Sequence, residues 1–221
     1  MSVHNLALSL AYLGATLGVT MVVPQILRTL RRPTLTGVSP ASWGLTALAC
    51  ATWLTYGIRT AQVPQIPGNV LLVSGAVTIV MLVPSPVSPP RRALALALAA
   101  AVLLCVALSL PARSVGYLAI GVGLVSAWPQ VYDSVVGWRS GAESGVSIAT
   151  WSLKVTSQVS WLTYALLAGD VPVAIAASVA LTTAVSLVSL EASRRVIGAR
   201  ADAMVFEAAG RRPAGHRGAG T

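Results

Sequence analysis

Charged residues are scarce in this chain, and acidic residues are the scarcest. Its 221 residues include 6 Asp and Glu and 15 Lys and Arg, so 10% are charged whereas 55% are hydrophobic. A soluble domain of this length needs a surface of which roughly 25–35% is charged. The composition therefore argues against a soluble domain, and a mean hydropathy of +0.77 favours a membrane protein.

Cysteine and histidine are nearly absent, which removes several classes of site. The two cysteines, Cys50 and Cys105, lie inside apolar runs and suggest neither a disulfide framework nor a zinc site. His4 and His216 lie in the termini, and no nucleophile–base pair or cluster of metal ligands stands out. An enzyme is the class least expected, and no cofactor is predicted.

Long apolar runs fill most of the chain. A helix that crosses a bilayer needs roughly 20 mostly apolar residues, whereas strands of membrane barrels alternate apolar and polar positions. These runs are continuous, so the prediction is an all-α protein with seven transmembrane helices. They lie at about 6–27, 41–58, 68–84, 93–110, 114–132, 148–167 and 171–190. The first is long and lacks a basic flank, as expected for an uncleaved helix rather than a signal peptide.

The net charge of +9 follows the order of the apolar runs. Arginines cluster after the first, third, fifth and seventh runs, whereas the other loops hold only Arg59 and Arg113. This positive-inside pattern predicts an outside N-terminus and a cytoplasmic C-terminus, and it explains the basic excess without a nucleic-acid partner. The abundance of Ala, Gly, Arg and Val indicates a GC-rich, bacterial genome, and hence a location in the cell membrane.

The chain also repeats itself at an offset of 108 residues. The repeated elements are Gly37-Val38-Ser39 with Gly145-Val146-Ser147, Trp43 with Trp151, and Trp53-Leu54-Thr55-Tyr56 with Trp161-Leu162-Thr163-Tyr164. A Pro-Gln pair precedes each copy, as Pro24-Gln25 and Pro129-Gln130. In a membrane, two similar halves are typical of a transporter whose site lies where they meet.

Seven spans and two repeats divide as three, one and three. A three-helix unit ends on the opposite side of the membrane from its start, so one inserted helix keeps the second copy parallel to the first. The fourth run is almost all Ala, Leu and Val and suits that role. The predicted units are 5–84 and 113–190 as repeats, 85–112 as the linker with its inversion helix, and 191–221 as a basic cytoplasmic tail, disordered from about Gly210.

Two groups of residues are candidates for function. Pro24 and Pro129 would bend the first helix of each repeat, and Gln25 and Gln130 could bond the carbonyls that the prolines free. The alternative is that Pro-Gln merely ends each helix.

The second group lies deeper in the predicted spans. Trp53 and Trp161 could face a shared cavity, or they could simply pack. Asn69 needs a polar partner, which is either a solute or a neighbouring helix. Lys154, Ser157, Gln158 and Trp161 share one helical face. Gln158 is the best candidate there for an added ligand contact, whereas Lys154 lies close enough to the cytoplasmic end to snorkel.

Two repeats with Pro-Gln, Gly-Val-Ser, a deep Trp followed by Leu-x-Tyr, and an Asn 16 residues later resemble the PQ-loop superfamily over about 5–190. The layout of three, one and three helices looks most like the SWEET sugar transporters. The resemblance implies that the two bundles rock about the proline hinges, and that Trp53, Asn69 and Trp161 contact a sugar. The fourth contact in that family is an Asn, and it is Ala177 here.

The resemblance therefore favours a carrier that moves a small polar solute, such as a sugar, by uncoupled alternating access. Other members resemble cystinosin and export amino acids with protons. The seven predicted spans contain no Glu, and Asp133 is the one residue that could relay a proton. A third alternative is a receptor or assembly factor, since the KDEL receptor shares the fold. A monomer already contains both repeats, and the sequence leaves a homo-oligomer as an alternative.

Overall fold

A computed structural model describes residues 2–23, 26–27, 40–140 and 148–210 of the chain. The expectation of an all-helical protein is confirmed for these residues. Within the described ranges, the helices with defined bounds are α1 (Val3–Thr20), α2 (Pro40–Arg59), α3 (Gln65–Leu82), α4 (Pro89–Ser109), α5 (Ala112–Ser140), α6 (Ile148–Ala168) and α7 (Val171–Gly210).

By length and composition, four helices among the described residues could cross a membrane. They are α1, α3, α4 and the section Val171–Ser193 of α7. Of the other three helices, α2 and α6 carry several Trp, Tyr, Thr and Ser residues, and the described side chains of α5 include the apolar stretch Ala112–Ser126.

Local signals set several helix ends. The Ser2 hydroxyl caps α1 by accepting a hydrogen bond from the backbone N–H of Asn5 at 3.2 Å. After Ser88, α4 begins with proline, which needs no donor in the first turn. Gly169 follows α6 with a φ of +69°, a left-handed conformation that glycine adopts at little cost.

Two helices extend further than the sequence suggested. Helix α5 continues through Pro129 to Ser140, so Pro-Gln does not end this helix. Helix α7 continues to Gly210, although the polar tail was expected from Glu191. Ala, Arg, Met and Glu are good helix formers, and no proline interrupts the segment after Glu191, so the helix persists beyond its apolar section.

Helix packing follows a paired pattern. Among the first three helices, α3 packs mainly against α2, and among the last three, α7 packs mainly against α6. Between these two groups, α1 packs against α6, and α5 packs against α2. Exchanging α1, α2 and α3 for α5, α6 and α7 leaves this set of contacts unchanged, which is the pattern of two related units facing each other about a twofold axis.

Two arginines attach α4 to α2 and α3. Arg59, at the end of α2, donates to the carbonyl oxygens of Ala107 and Leu110 at 2.7 and 2.6 Å. Near the start of α4, Arg92 donates to carbonyls at the end of α3, including that of Val83 at 2.8 Å. Each guanidinium supplies donors to helix-end carbonyls that lack a partner in their own helix.

Candidate functional site

Equivalent positions of the two repeats meet at one end of the helix assembly. Gln62, in the loop after α2, and Asp170, in the loop after α6, are 108 residues apart, and the Gln62 amide donates to the Asp170 carboxylate. The Tyr56 hydroxyl donates to the same carboxylate at 2.8 Å. A bond between equivalent positions places them beside the axis that relates the two units.

The carboxylate also serves its own helix. The backbone N–H of Val173 donates to Asp170 Oδ1 at 3.1 Å, which makes Asp170 the N-cap of α7. A negative charge at this end of a helix is favoured by the helix dipole. Asp170 is only 7% exposed, so its bonds with the other unit form in a place that water scarcely reaches.

A second glutamine completes the cluster. Gln65 is buried and its side-chain N–H donates to the side-chain Oε1 of Gln62, whereas the Oε1 of Gln65 itself has no partner among the described residues. We refer to Tyr56, Gln62, Gln65 and Asp170 as the latch. It joins α2 and α3 of the first unit to the α6–α7 loop of the second.

At the same end, the backbone of α5 at Gly116 packs closely against Pro172 and Tyr56. A Cβ built on Gly116 of α5 would lie 2.6 Å from Pro172 Cβ and 3.0 Å from Tyr56 Cε2. No side chain fits there without a shift of α7 or of the tyrosine ring. The latch therefore lies beside a tight junction of α2, α5 and the start of α7.

Trp53 and Trp161, which the sequence predicts to line the site, occupy equivalent positions beneath the latch. Trp53 packs edge to face on Tyr56 with ring centroids 5.6 Å apart, and Trp161 packs in the same way on Tyr164 at 5.7 Å. Both tryptophans are half-buried, and both pack against one hydrophobic cluster that includes Tyr56, Tyr164 and Val115. The structure thus brings Trp53 and Trp161 to a common region between the units.

Helix α6 contacts α1 through the face that carries Trp161. Ser157 Oγ donates to the Gly14 carbonyl oxygen at 2.8 Å across the two units. A Cβ on Gly14 would lie 2.9 Å from Trp161 Cδ1 and Nε1, so the indole lies directly on the α1 backbone. Gln158, on the same helix, is half-buried.

The third-helix positions differ between the units. Asn69 is half-buried, and its amide donates to the Gln65 carbonyl oxygen at 2.8 Å within its own helix. Its counterpart Ala177 is 2% exposed, and the adjacent Ser178 faces outward. The serine therefore does not substitute for the missing asparagine.

Most of the predicted hinge residues lie outside the part of the chain that the structure describes. Pro24 and Gln25 lie outside the described residues, as do the side chains of Pro129, Gln130 and Asp133, whose backbone is helical. Their roles as hinge and proton relay stay predictions.

Lys154 of α6 and Cys50 of α2 are both half-buried. In the described part of the chain these two helices do not pack on each other. Lys154 lies two turns before Trp161 on the face of α6 that packs against α1.

A groove of about 540 Å³ runs along α7 and is lined by Ser178, Val179, Thr182, Thr183, Ser186, Leu187 and Leu190. It includes none of the predicted site residues. Within the described ranges, no three His, Cys, Asp or Glu residues are grouped as a metal site would require.

Two acidic residues were missed from sequence. Asp170 was treated as a loop residue, yet it links the two units; the available signal was that Gln62 and Asp170 occupy equivalent repeat positions. Glu191, which directly follows the predicted seventh span, is 7% exposed in the continuing helix α7.

Comparison with solved structures confirms the expected fold. The chain is similar to a eukaryotic SWEET transporter, with a TM-score of 0.67, 14% sequence identity, and coverage of 86% of this chain and 99% of that chain. No family model and no curated protein sequence matches the chain.

Proposed function

We propose that the protein is a multi-pass carrier in the cell membrane that moves a small polar solute by alternating access. The observation that carries this proposal is the latch. It joins equivalent loops of two related units at one end through Tyr56, Gln62 and Asp170. Such bonds can break and reform as the two units rock, because each joins one unit to the other rather than two parts of the same unit.

The geometry supports a division of roles. In the proposed mechanism, all seven helices cross the membrane as two three-helix repeats joined by α4, and the arginine distribution places the latch outside. The structure then corresponds to a state closed to the outside. Trp53 and Trp161, directly beneath the latch, contact the solute, and Asn69 and Gln158 add polar contacts. Bending at Pro24 and Pro129, with Gln25 and Gln130 bonding the freed carbonyls, opens the opposite end.

The proposed solute is of sugar size, and its transport is downhill. A flat indole on each side suits a ring-shaped or compact polar solute, because aromatic faces pack against C–H groups while polar groups bind the edges.

Glu191 favours a second candidate, a proton-coupled carrier. A carboxylate that is 7% exposed at the end of the apolar section of α7 is a natural site for a proton in transit. Asp133 would be its partner on α5 in such a relay.

Uptake into proteoliposomes distinguishes these functions. Labelled glucose and labelled alanine are offered with and without an inward proton gradient, to the wild type and to Glu191→Gln. We expect uptake above that of empty liposomes, unchanged by the gradient and by Glu191→Gln. Uptake that requires both the gradient and Glu191 would replace the uncoupled mechanism with the coupled one. Binding without uptake would favour a receptor.

A further inference from the structure

The groove along α7 lies at a position where the first unit has close helix contact. In that unit α1 packs tightly on α3, because a Cβ on Gly75 would lie 2.6 Å from Val22 Cγ1. At the 108-residue offset, the position equivalent to Gly75 is Thr183, which lines the groove. The position of α5 that corresponds to Val22, at the offset of the Pro-Gln pairs, holds the smaller Ala127. The second unit therefore has an open groove where the repeat predicts contact.

The lining of this α7 groove suits an apolar occupant. Thr182 and Thr183 each donate their hydroxyl to the carbonyl oxygen four residues earlier, both at 2.9 Å, so these groups are already bonded within α7. Val179, Leu187 and Leu190 add apolar surface. A polar solute loses water without gaining these hydroxyls as partners, whereas a hydrocarbon chain needs no hydrogen bond.

The α7 groove has the length of one leaflet of a bilayer. It extends from Ser178 to Leu190, inside the apolar section Val171–Ser193. Twelve steps of 1.5 Å along a helix give about 18 Å. Half of a hydrocarbon core of about 30 Å is about 15 Å. An acyl chain of one leaflet, which also lies along the membrane normal, therefore matches the groove in length and direction.

Positive charge follows the end of the α7 groove. Helix α7 continues past Leu190, and the next ten residues, Glu191–Arg200, hold three arginines and one glutamate, a net charge of +2. Arg194 lies four residues after Leu190, about one helical turn. On the neighbouring α5, Trp128 and Tyr132 are 70% and 58% exposed, as is typical of an interfacial belt. The predicted topology places this end in the cytoplasmic leaflet, where anionic headgroups attract basic segments.

We propose that the α7 groove binds an anionic phospholipid of the cytoplasmic leaflet, with one acyl chain along α7 and the phosphate beside the arginines that follow. The lipid then fills the space that close helix contact removes from the first unit. A second copy of the chain is a poorer match, because copies inserted in the same orientation bring their basic segments to the same side, where they repel. The inference requires a membrane protein but not transport.

Native mass spectrometry of the full chain tests the proposal. The protein in detergent is equilibrated with equal amounts of phosphatidylglycerol and phosphatidylcholine that carry the same acyl chains, and retained lipids are counted by their mass. We expect one lipid to be retained, predominantly phosphatidylglycerol. The same spectra give the number of copies of the chain in each particle. Binding of lipid and binding of a second copy are therefore read separately.

A substitution that fills the groove tests its location. Ser186 is exposed and lines the groove, so Ser186→Phe adds a ring there without displacing a buried side chain. We expect loss of the retained lipid. Ser189→Phe makes the same change at an exposed position of α7 outside the groove lining and should keep the lipid. Retention of the lipid by Ser186→Phe, or its loss from both variants, would overturn the proposal.

A charge substitution tests the headgroup. Arg194→Gln should lower the ratio of retained phosphatidylglycerol to phosphatidylcholine about fivefold, the effect of one arginine near a membrane surface. Arg91→Gln removes an exposed arginine from the start of α4, on the same predicted side, and should leave the ratio unchanged. Equal retention of the two lipids by the wild type would overturn the proposal. So would particles of several copies that Ser186→Phe dissociates, since the groove would then belong to a second copy.

Discussion

Removal of the Asp170 side chain should open the latched end. Asp170→Ala eliminates the acceptor for the Tyr56 hydroxyl and the Gln62 amide, the two bonds that cross between the units. Hydrogen bonds to a charged group contribute about 1.5–3 kcal/mol each. Water replaces part of this once the end is open, so we expect a net shift of about 3 kcal/mol, or roughly 150-fold in the open population. Loss of the α7 cap affects both states and cancels.

Thiol labelling measures this population. Val115 is 0% exposed beneath the latch, so Val115→Cys, in a background of Cys50→Ala and Cys105→Ser, reports opening to a membrane-impermeant maleimide. The labelling rate should rise about 150-fold with Asp170→Ala, in proportion to the population shift.

Two variants control for charge and for general loosening. Asp170→Asn should give an intermediate rate, because rotation of the Gln62 and Gln65 amides can restore a bridge and give the unpartnered Gln65 Oε1 a donor. Tyr117→Phe changes an exposed tyrosine of α5 and should have no effect. A rate that Asp170→Ala leaves unchanged would refute the view that the latch holds the units together.

Three further predictions concern packing and hinge motion. Gly14→Ala places a methyl group 2.9 Å from an indole and should destabilise the fold by about 1–3 kcal/mol, visible as a lower Tm, whereas Gly121→Ala meets open space and should not lower it. Arg59→Gln should lower the Tm through loss of two bonds worth about 1 kcal/mol each to α4; an unchanged Tm would show that α4 is held by apolar contact alone. Pro24→Ala combined with Pro129→Ala should reduce uptake while the protein remains inserted, and full uptake would exclude the hinge.

Much of the fold could be predicted from the sequence because its determinants are local. Apolar runs, proline positions and the 108-residue offset specify helices and their pairing. The helix ends were less accessible: α5 passes through Pro129, because a proline removes one backbone bond without preventing the next turn from forming, and α7 continues past Glu191 on helix propensity alone.

The contacts of the latch could not be predicted from the sequence in the same way. Its bonds join residues 108 and 114 positions apart, and whether equivalent residues touch depends on how far each lies from the axis. Sequence identifies Gln62 and Asp170 as equivalent but does not give that distance. The positions of Trp53 and Trp161 were easier to predict. A large aromatic residue repeated deep in two helices has few places to pack other than the contact region between the units.

Counterflow tests the central claim of alternating access most directly. Proteoliposomes are loaded with unlabelled glucose, diluted, and offered a trace of labelled glucose without a proton gradient. A carrier that binds and exchanges its solute should accumulate label transiently above equilibrium, and Asp170→Ala should change the rate. Equilibration without transient accumulation would indicate a channel, and absence of uptake with inserted protein would contradict transport of glucose.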